Sequence, residues 1–294
     1  MSKKIIDYSK TESETLNLKI SRCNVDYFDE QELLKALVAE SYDLCRVKVA
    51  SEDEFAPLRL DKMGIPYFFS GSIRRYKTPI TSQLGLKLKH EDLVFETYDG
   101  SQEELLLALL RDTWGSYPIG YYRSPILCHL LTKESEINSV FNFYKLNNLK
   151  LENSNNSILF MKKGEECVGF FALNIVGTHL ESHIGGISKK HHKEGYFYDM
   201  LAYIKNFCIE NNLSHFVFGA RNENAQVQRI FHQAGFVPVG SENVFHVLPL
   251  LGKSFGGSKS KITIKELKNI SLSLVLQNYI TSKAHQSLTI KKVN

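Results

Sequence analysis

The residues with the most chemical content sit between Ile187 and Leu201, in the run ISKKHHKEGYFYDML. An apolar strand there enters a polar turn holding three lysines and two histidines, and the turn passes into a helix at Gly195. A helix N-terminus offers free backbone N–H groups and a positive dipole end, so it can bind an anion such as pyrophosphate without side chains. Lys189, Lys190, Lys193, His191 and His192 would add positive potential, although a solvated turn is the ordinary reading of such a charge run. Just upstream, on the strand HLESHIGGIS, Glu181 and His183 are two residues apart and share a face. Either can take a proton from an amine nucleophile; a polar pair at a strand end is the plain alternative. His246 lies on the last apolar strand, where a hydrogen-bonded structural histidine is the ordinary reading. Tyr117, Tyr121 and Tyr122 stand in the aromatic loop WGSYPIGYY, in reach of an incoming substrate or of the core.

Other chemistries fail on spacing. The GKS at Gly252–Ser254 has Val247 where a phosphate-binding P-loop needs glycine. His191 and His192 lack partners at metal-ligand spacing, so no metal is expected. No Gly-x-Ser-x-Gly elbow or Cys–His arrangement is present.

The elements that must position these residues follow from periodicity and punctuation. Residues 29–40 read as an amphipathic helix and Leu44–Ala50 as a strand. Ser51 with Glu54 reads as a capping box opening a helix that stops at Gly64, and PYFFSGSIRRY follows as a strand. The same order returns later: strand Leu213–Ala220, helix Asn222–Ala234, stop at Gly235, strand Phe236–Leu248. Placing Gly64 on Gly235 pairs Asp53 with Asn224, a weak internal repeat of supersecondary structure. Between the two units come a helix over 103–112, helices within 123–148, the hairpin SILFMKKGEECVGFFAL, a third strand, and a helix over Gly195–Asn211. GKSFGGSKSK reads as a linker to a short tail.

With 294 residues, 43% hydrophobic and 23% charged, the chain has the composition of a soluble globular protein and excludes collagenous, disordered and disulfide-stapled classes. Thirty-six Lys and Arg against 32 Asp and Glu give +4, which suits anionic small ligands without an interleaved basic and aromatic surface for nucleic acid. Five cysteines with no CxxC pair predict reduced thiols and a cytoplasmic location, and no apolar run predicts a signal peptide or a membrane span.

Two of these segments together carry a family resemblance. The strand–turn–helix ending in Gly195, followed by Asn224, AQVQRI, Phe231, HQA, Gly235 and Phe236, resembles the GNAT N-acetyltransferases over roughly residues 120–250. The resemblance implies an α/β fold with a mixed sheet, a GNAT domain over 116–250, a partial GNAT-like domain over 1–115, and a linker and tail over 251–294. A truncated first half ahead of a GNAT domain is similar to TDP-fucosamine acetyltransferase, which implies an amino sugar, free or nucleotide-linked, as acceptor. The implied co-substrate is acetyl-CoA or another acyl-CoA, with no metal. Its implied contacts are Ile187, Ser188, Lys189, His192, Lys193, Glu194, Gly195, Tyr196 and Phe197, with Asn224 on the pantetheine. His183 and then Glu181 are the implied base; Tyr117, Tyr121, Tyr122 and His246 are placed towards the acceptor.

Two departures stand out. Phe197 replaces a small residue of the family's phosphate loop, and Phe231 replaces its acid-donating tyrosine beside the cofactor. They keep open a GNAT-shaped binding module, or an enzyme whose donor is an acyl-carrier protein. A second copy of the chain is the expected assembly partner.

Overall fold

The computed structural model describes residues 5–79, 85–114, 124, 127–129, 131–148 and 156–249. The tyrosines of the aromatic loop and the tail from 251 lie outside them. In chain order the elements are β1 (Asp7–Tyr8), α1 (Lys10–Leu16), β2 (Ile20–Asn24), α2 (Glu30–Ala39), β3 (Leu44–Ala50), α3 (Ala56–Lys62) and β4 (Tyr67–Pro79). They continue with β5 (Leu93–Thr97), α4 (Glu103–Trp114), α5 (Lys133–Asn148), β6 (Asn156–Lys163), β7 (Glu166–Val176), β8 (His179–Ile187), α6 (Tyr196–Glu210), β9 (His215–Arg221), α7 (Ala225–Gln233) and β10 (Val237–Val247). This is the expected α/β fold with a mixed sheet.

The local reasons are those of the sequence in most places. Asp29 caps α2 by accepting from the N–H groups of Gln31 and Glu32 at 3.0 and 2.9 Å. Alternation along β3 buries Cys45, Val47 and Val49 against α2 and α3 and turns Arg46 and Lys48 to the other face. The capping box at Ser51 does not form. The Ser51 hydroxyl lies 3.3 Å from Asn243 Oδ1 across the sheet, and the Asp53 carboxylate pairs with Arg59. The α3 helix starts only at Ala56, beside Pro57. Its counterpart Asn224 does cap α7, accepting from Val227 N at 3.2 Å.

The ten strands of the described residues form one sheet in the order β1-β2-β3-β10-β4-β9-β8-β7-β6-β5. Neighbours are antiparallel except β2 with β3 and β8 with β9. About the β10–β4 pair the strands of the two units mirror each other, β3 and β2 on one side and β9 and β8 on the other. The two strand–helix–Gly–strand units both appear, and each inserts its last strand into the other: β4 lies between β9 and β10, and β10 between β3 and β4. Ladders on both flanks of each exchanged strand tie the units into one sheet. The β5 strand and α4 extend the β6 end of the sheet: β5 pairs with β6, and α4 packs on α5. Helices α2 and α3 cover one face beside β3 and β10, and α6 and α7 cover the same face farther along. The opposite face carries α1, α4 and α5.

A buried carboxylate ties α1 to this opposite face. Glu12 meets Arg22 Nε of β2 at 2.9 Å, Arg46 Nη1 of β3 at 3.7 Å and the Ser9 hydroxyl at 2.5 Å. Burial alone would raise its pKa, but Arg46, then Arg22 and Ser9, outweigh that and lower it from 4.5 to about 2. The pairing stabilises the fold fully above pH 4.5 and is lost as pH falls towards 2, a span worth about 3 kcal/mol. Denaturant midpoints measured from pH 5 to pH 2 should therefore fall less steeply in Glu12→Gln than in the wild type.

Gly64 and Gly235 end α3 and α7 with φ of 65° and 79°. Open space surrounds a Cβ added at Gly235, so Gly235→Ala should cost about 1–2 kcal/mol from backbone strain alone. An unchanged unfolding midpoint would contradict that origin.

Candidate active site

The parallel strands β8 and β9 pair at three positions, Leu180 with Phe216, Glu181 with Val217 and Ser182 with Phe218. Beyond these they part. β8 runs on to Ile187 along β7, while β9 runs on to Arg221 along β4. The parting begins at a β-bulge in β8: Ala172 faces Ile184 and Leu173 faces Ser182, so His183 is the extra residue. The Ser182 hydroxyl stabilises the bulge, donating to Ala172 O at 2.7 Å with Ile184 O at 3.2 Å. The β8 edge facing β9 thus has no strand partner from Ile184 to Ile187 among the described residues, and a ligand with amide groups could pair there.

The turn after β8 is held from α4. Asp112 Oδ2 accepts from the Ser188 hydroxyl and the Lys189 N–H, both at 2.7 Å. Burial opposes its ionisation, but these hydrogen bonds and the charges of His192 and Lys189 leave its pKa below the usual carboxylate value. His192 Nε2 lies 3.1 Å from Ile187 O. Lys193 and Gly195 have φ of 73° and 97°, and this left-handed pair aims the turn at the start of α6. Lys190 pairs with Glu166, while His191 lies 3.1 Å from Glu166 and 3.2 Å from Glu194. Carboxylates thus offset part of the positive potential expected of the turn. Lys193 faces the cavity described below; Lys189 and Lys190 do not line it.

A second cation arrives from a segment with no sequence signal. Leu86–His90 straps along α6: Leu86 N donates to Asn206 Oδ1 at 2.9 Å, and Asn206 Nδ2 donates back to Leu86 O at 3.0 Å. Lys89 N donates to the fully buried Asp199, whose other oxygen lies 2.6 Å from His90 Nδ1. This sets Lys89 Nζ 4.7 Å from the Tyr198 ring centre. A Cβ added at Gly195 would come within 3.4 Å of Lys89 Cδ.

Together these elements open on a cavity of about 1170 Å³. Ile187, His192, Lys193, Gly195, Tyr196, Phe197 and Asn224 line it, as do Lys89, Phe218, Val227 and Ile230. Phe197 packs on Phe171 and Phe218, with ring centres at 5.9 and 6.4 Å, and forms an apolar wall of the gap. Arg22, Arg46, Lys48, Arg75, Arg221 and Glu242 line the part floored by β2, β3, β4, β9 and β10.

Other sequence candidates lie elsewhere. Glu181 is 3.0 Å from His179 Nε2, whose ring stacks on His215 at 4.5 Å, and it does not line the cavity. Ser188 and Glu194 are spent on Asp112 and His191. The Tyr196 hydroxyl accepts from Lys163 Nζ at 3.0 Å. Phe231 is wholly buried against Tyr76, Phe218 and Phe236, with ring centres at 4.8, 5.3 and 5.3 Å. His246 is buried on β10, its ring 6.5 Å from that of Phe68, and neither it nor Phe231 lines the cavity.

The first unit has no equivalent opening. β2 and β3 pair at all five β2 residues, and Val25 N extends the contact to Lys48 O at 3.1 Å. The N-terminus of α2 is filled by the Asp29 carboxylate and carries Glu30 and Glu32 in its first turn, which repels an anion.

No protein-family model and no curated protein matches the sequence. Solved structures do match by shape. A functionally unknown conserved protein from Staphylococcus epidermidis superposes with a TM-score of 0.57 at 13% identity, over 84% of this chain and 92% of that one. A GCN5-related N-acetyltransferase from Kribbella flavida gives 0.50 at 11% identity, over 78% and 81%. A tandem GNAT protein from the clavulanic acid biosynthesis pathway gives 0.52 at 9%, over 78% and 75%. The chain has the fold of the GCN5-related N-acetyltransferases.

Proposed function

We propose that the protein is an N-acyltransferase that takes an acyl group from acyl-CoA and passes it directly to a primary amine. The observation that carries this reading is the parting of β8 and β9 beside the N-terminus of α6. The strand edge from Ile184 to Ile187, which β9 leaves without a strand partner, suits the two amides of a pantetheine arm. The turn Lys193–Gly195, the first N–H groups of α6 and Lys89 suit its pyrophosphate, and Asn224 closes the far wall. Bound there, the co-substrate would supply an acyl thioester as the electrophile.

The residues around that position have definable work. His183, the bulged residue at the mouth of the gap, is proposed as the base that takes the amine proton. Glu181 can act only at one remove, through the strand end it shares with His179. Phe231 has no proton to give and serves the aromatic core. A thiol leaving group with an ordinary pKa of about 8.5 can depart near neutrality with help from water; Tyr198, which lines the cavity, is a phenol that could assist. The acceptor expected from the sequence, an amino sugar with or without a nucleotide, would enter from the side of the first unit. A cavity of about 1170 Å³ exceeds the roughly 300–1,000 Å³ of most single-ligand sites and leaves room for donor and acceptor together.

Isothermal titration should give one acetyl-CoA per chain, because the β2–β3 cleft is closed. Affinity should fall by about tenfold or more in Gly195→Trp, which fills the turn. Two sites per chain, or equal affinity in the variant, would count against this site. Equal affinity for free pantetheine and CoA would instead indicate a carrier-protein donor. Once an acceptor amine is found, His183→Ala should lower kcat roughly 10²–10⁴-fold with acetyl-CoA affinity unchanged; an unaltered kcat would exclude it as the base.

A further inference from the structure

The cavity has a second wall that the donor does not need. Across its floor, Arg22 on β2, Arg46 and Lys48 on β3, Arg75 on β4 and Arg221 on β9 are gathered from both units. Arg22 and Arg46 are register partners on adjacent strands, an arrangement of like charges that costs stability unless something answers it. Glu12 answers part of it, as described. Glu242 lies 3.2 Å from Arg75 Nη2 and 3.5 Å from Lys48 Nζ and answers another part. Glu136 of α5 lines the same cavity as a third carboxylate, and the five cations of this wall outnumber the three. The Arg46 Nε is buried with no hydrogen-bond partner. Burial first, then the charges of Arg46 and Arg75, lowers the Lys48 pKa to about 8 although Glu242 opposes the change. Packed guanidinium groups of this kind recognise multiply charged oxyanions through paired N–H donors.

We infer that this wall binds a phosphate or diphosphate group carried by the acceptor amine. The inference rests on the acyltransferase reading and narrows its substrate class to phosphorylated amines, nucleotide-linked amino sugars among them. Donor and acceptor would then enter one cavity from two ends, each anchored by its own cations: Lys89 and Lys193 for the donor, the Arg46–Lys48–Arg75 group for the acceptor. Glu242 competes for the same cations and would be displaced from them in part when the anion binds.

The test is calorimetric titration of inorganic pyrophosphate into protein saturated with CoA, so that the donor's phosphate site is filled. Binding is expected, weaker by about tenfold or more in Lys48→Met and in Arg75→Gln. Glu242→Gln should bind pyrophosphate more tightly than the wild type, an outcome that damage to the fold would not produce. Failure of pyrophosphate to bind once CoA is present would overturn the inference, as would equal binding by all the variants. Acetyl-CoA titration of the wild type reads the donor site separately. If acetyl-CoA fails to bind while pyrophosphate binding still depends on Lys48 and Arg75, the anion site stands and the acyltransferase reading falls.

Discussion

Two neighbouring strands that pair for three residues and then separate are the constraint on which this molecule turns. β8 is held to its end by β7, and β9 to its end by β4, so each strand has its hydrogen-bonding partner on the outer side. The bulge at His183 marks the last point at which both ladders and the inner pairing can be satisfied together. Beyond it lies strand edge that would be costly to bury without a partner. The gap is therefore a place where a ligand with its own amides could continue the ladder. The contrast with β2 and β3, the equivalent pair in the first unit, is direct: there the ladder is complete and the helix that follows caps its own N–H groups with Asp29.

The exchange of β4 and β10 explains why the two units nevertheless work as one site. Each unit completes the other's sheet, so the face that carries Arg46 and Lys48 is continuous with the face that carries Arg221. Charges from the first unit thereby reach a cavity opened by strands of the second. The first unit has no such cleft among the described residues and supplies one cationic wall of the cavity. Glu12 on α1 and Glu242 on β10 hold that wall together with ion pairs that a bound oxyanion could share.

Much of this was legible in the residues. Gly64 and Gly235 punctuated the repeat because a helix stop with positive φ favours glycine, while the helix expected from Asn222 starts at Ala225 with Asn224 as its cap. The turn at Lys193–Gly195 was visible from its charge and its glycine. Strand exchange was not legible, since pairing partners far apart in sequence leave no local trace. Ser51 misled because its hydroxyl serves a cross-sheet contact with Asn243 instead of a helix start. The strap at Lys89 and the buried Glu12 were invisible for a related reason: a lone lysine or glutamate acquires its role only from the distant Asp199, or from Arg22 and Arg46. Lys190 and His191 looked like anion ligands until Glu166, on the far side of a hairpin, was brought against them.

Backbone amide exchange with and without saturating acetyl-CoA tests the central claim most directly, because it reads the strand edge itself. The expected result is new protection at Ile184–Ile187 and at the first turn of α6, with Ile20–Asn24 and Leu44–Lys48 unchanged. Protection absent from β8, or confined to the first unit, would contradict the assignment of the β8–β9 gap as the donor site.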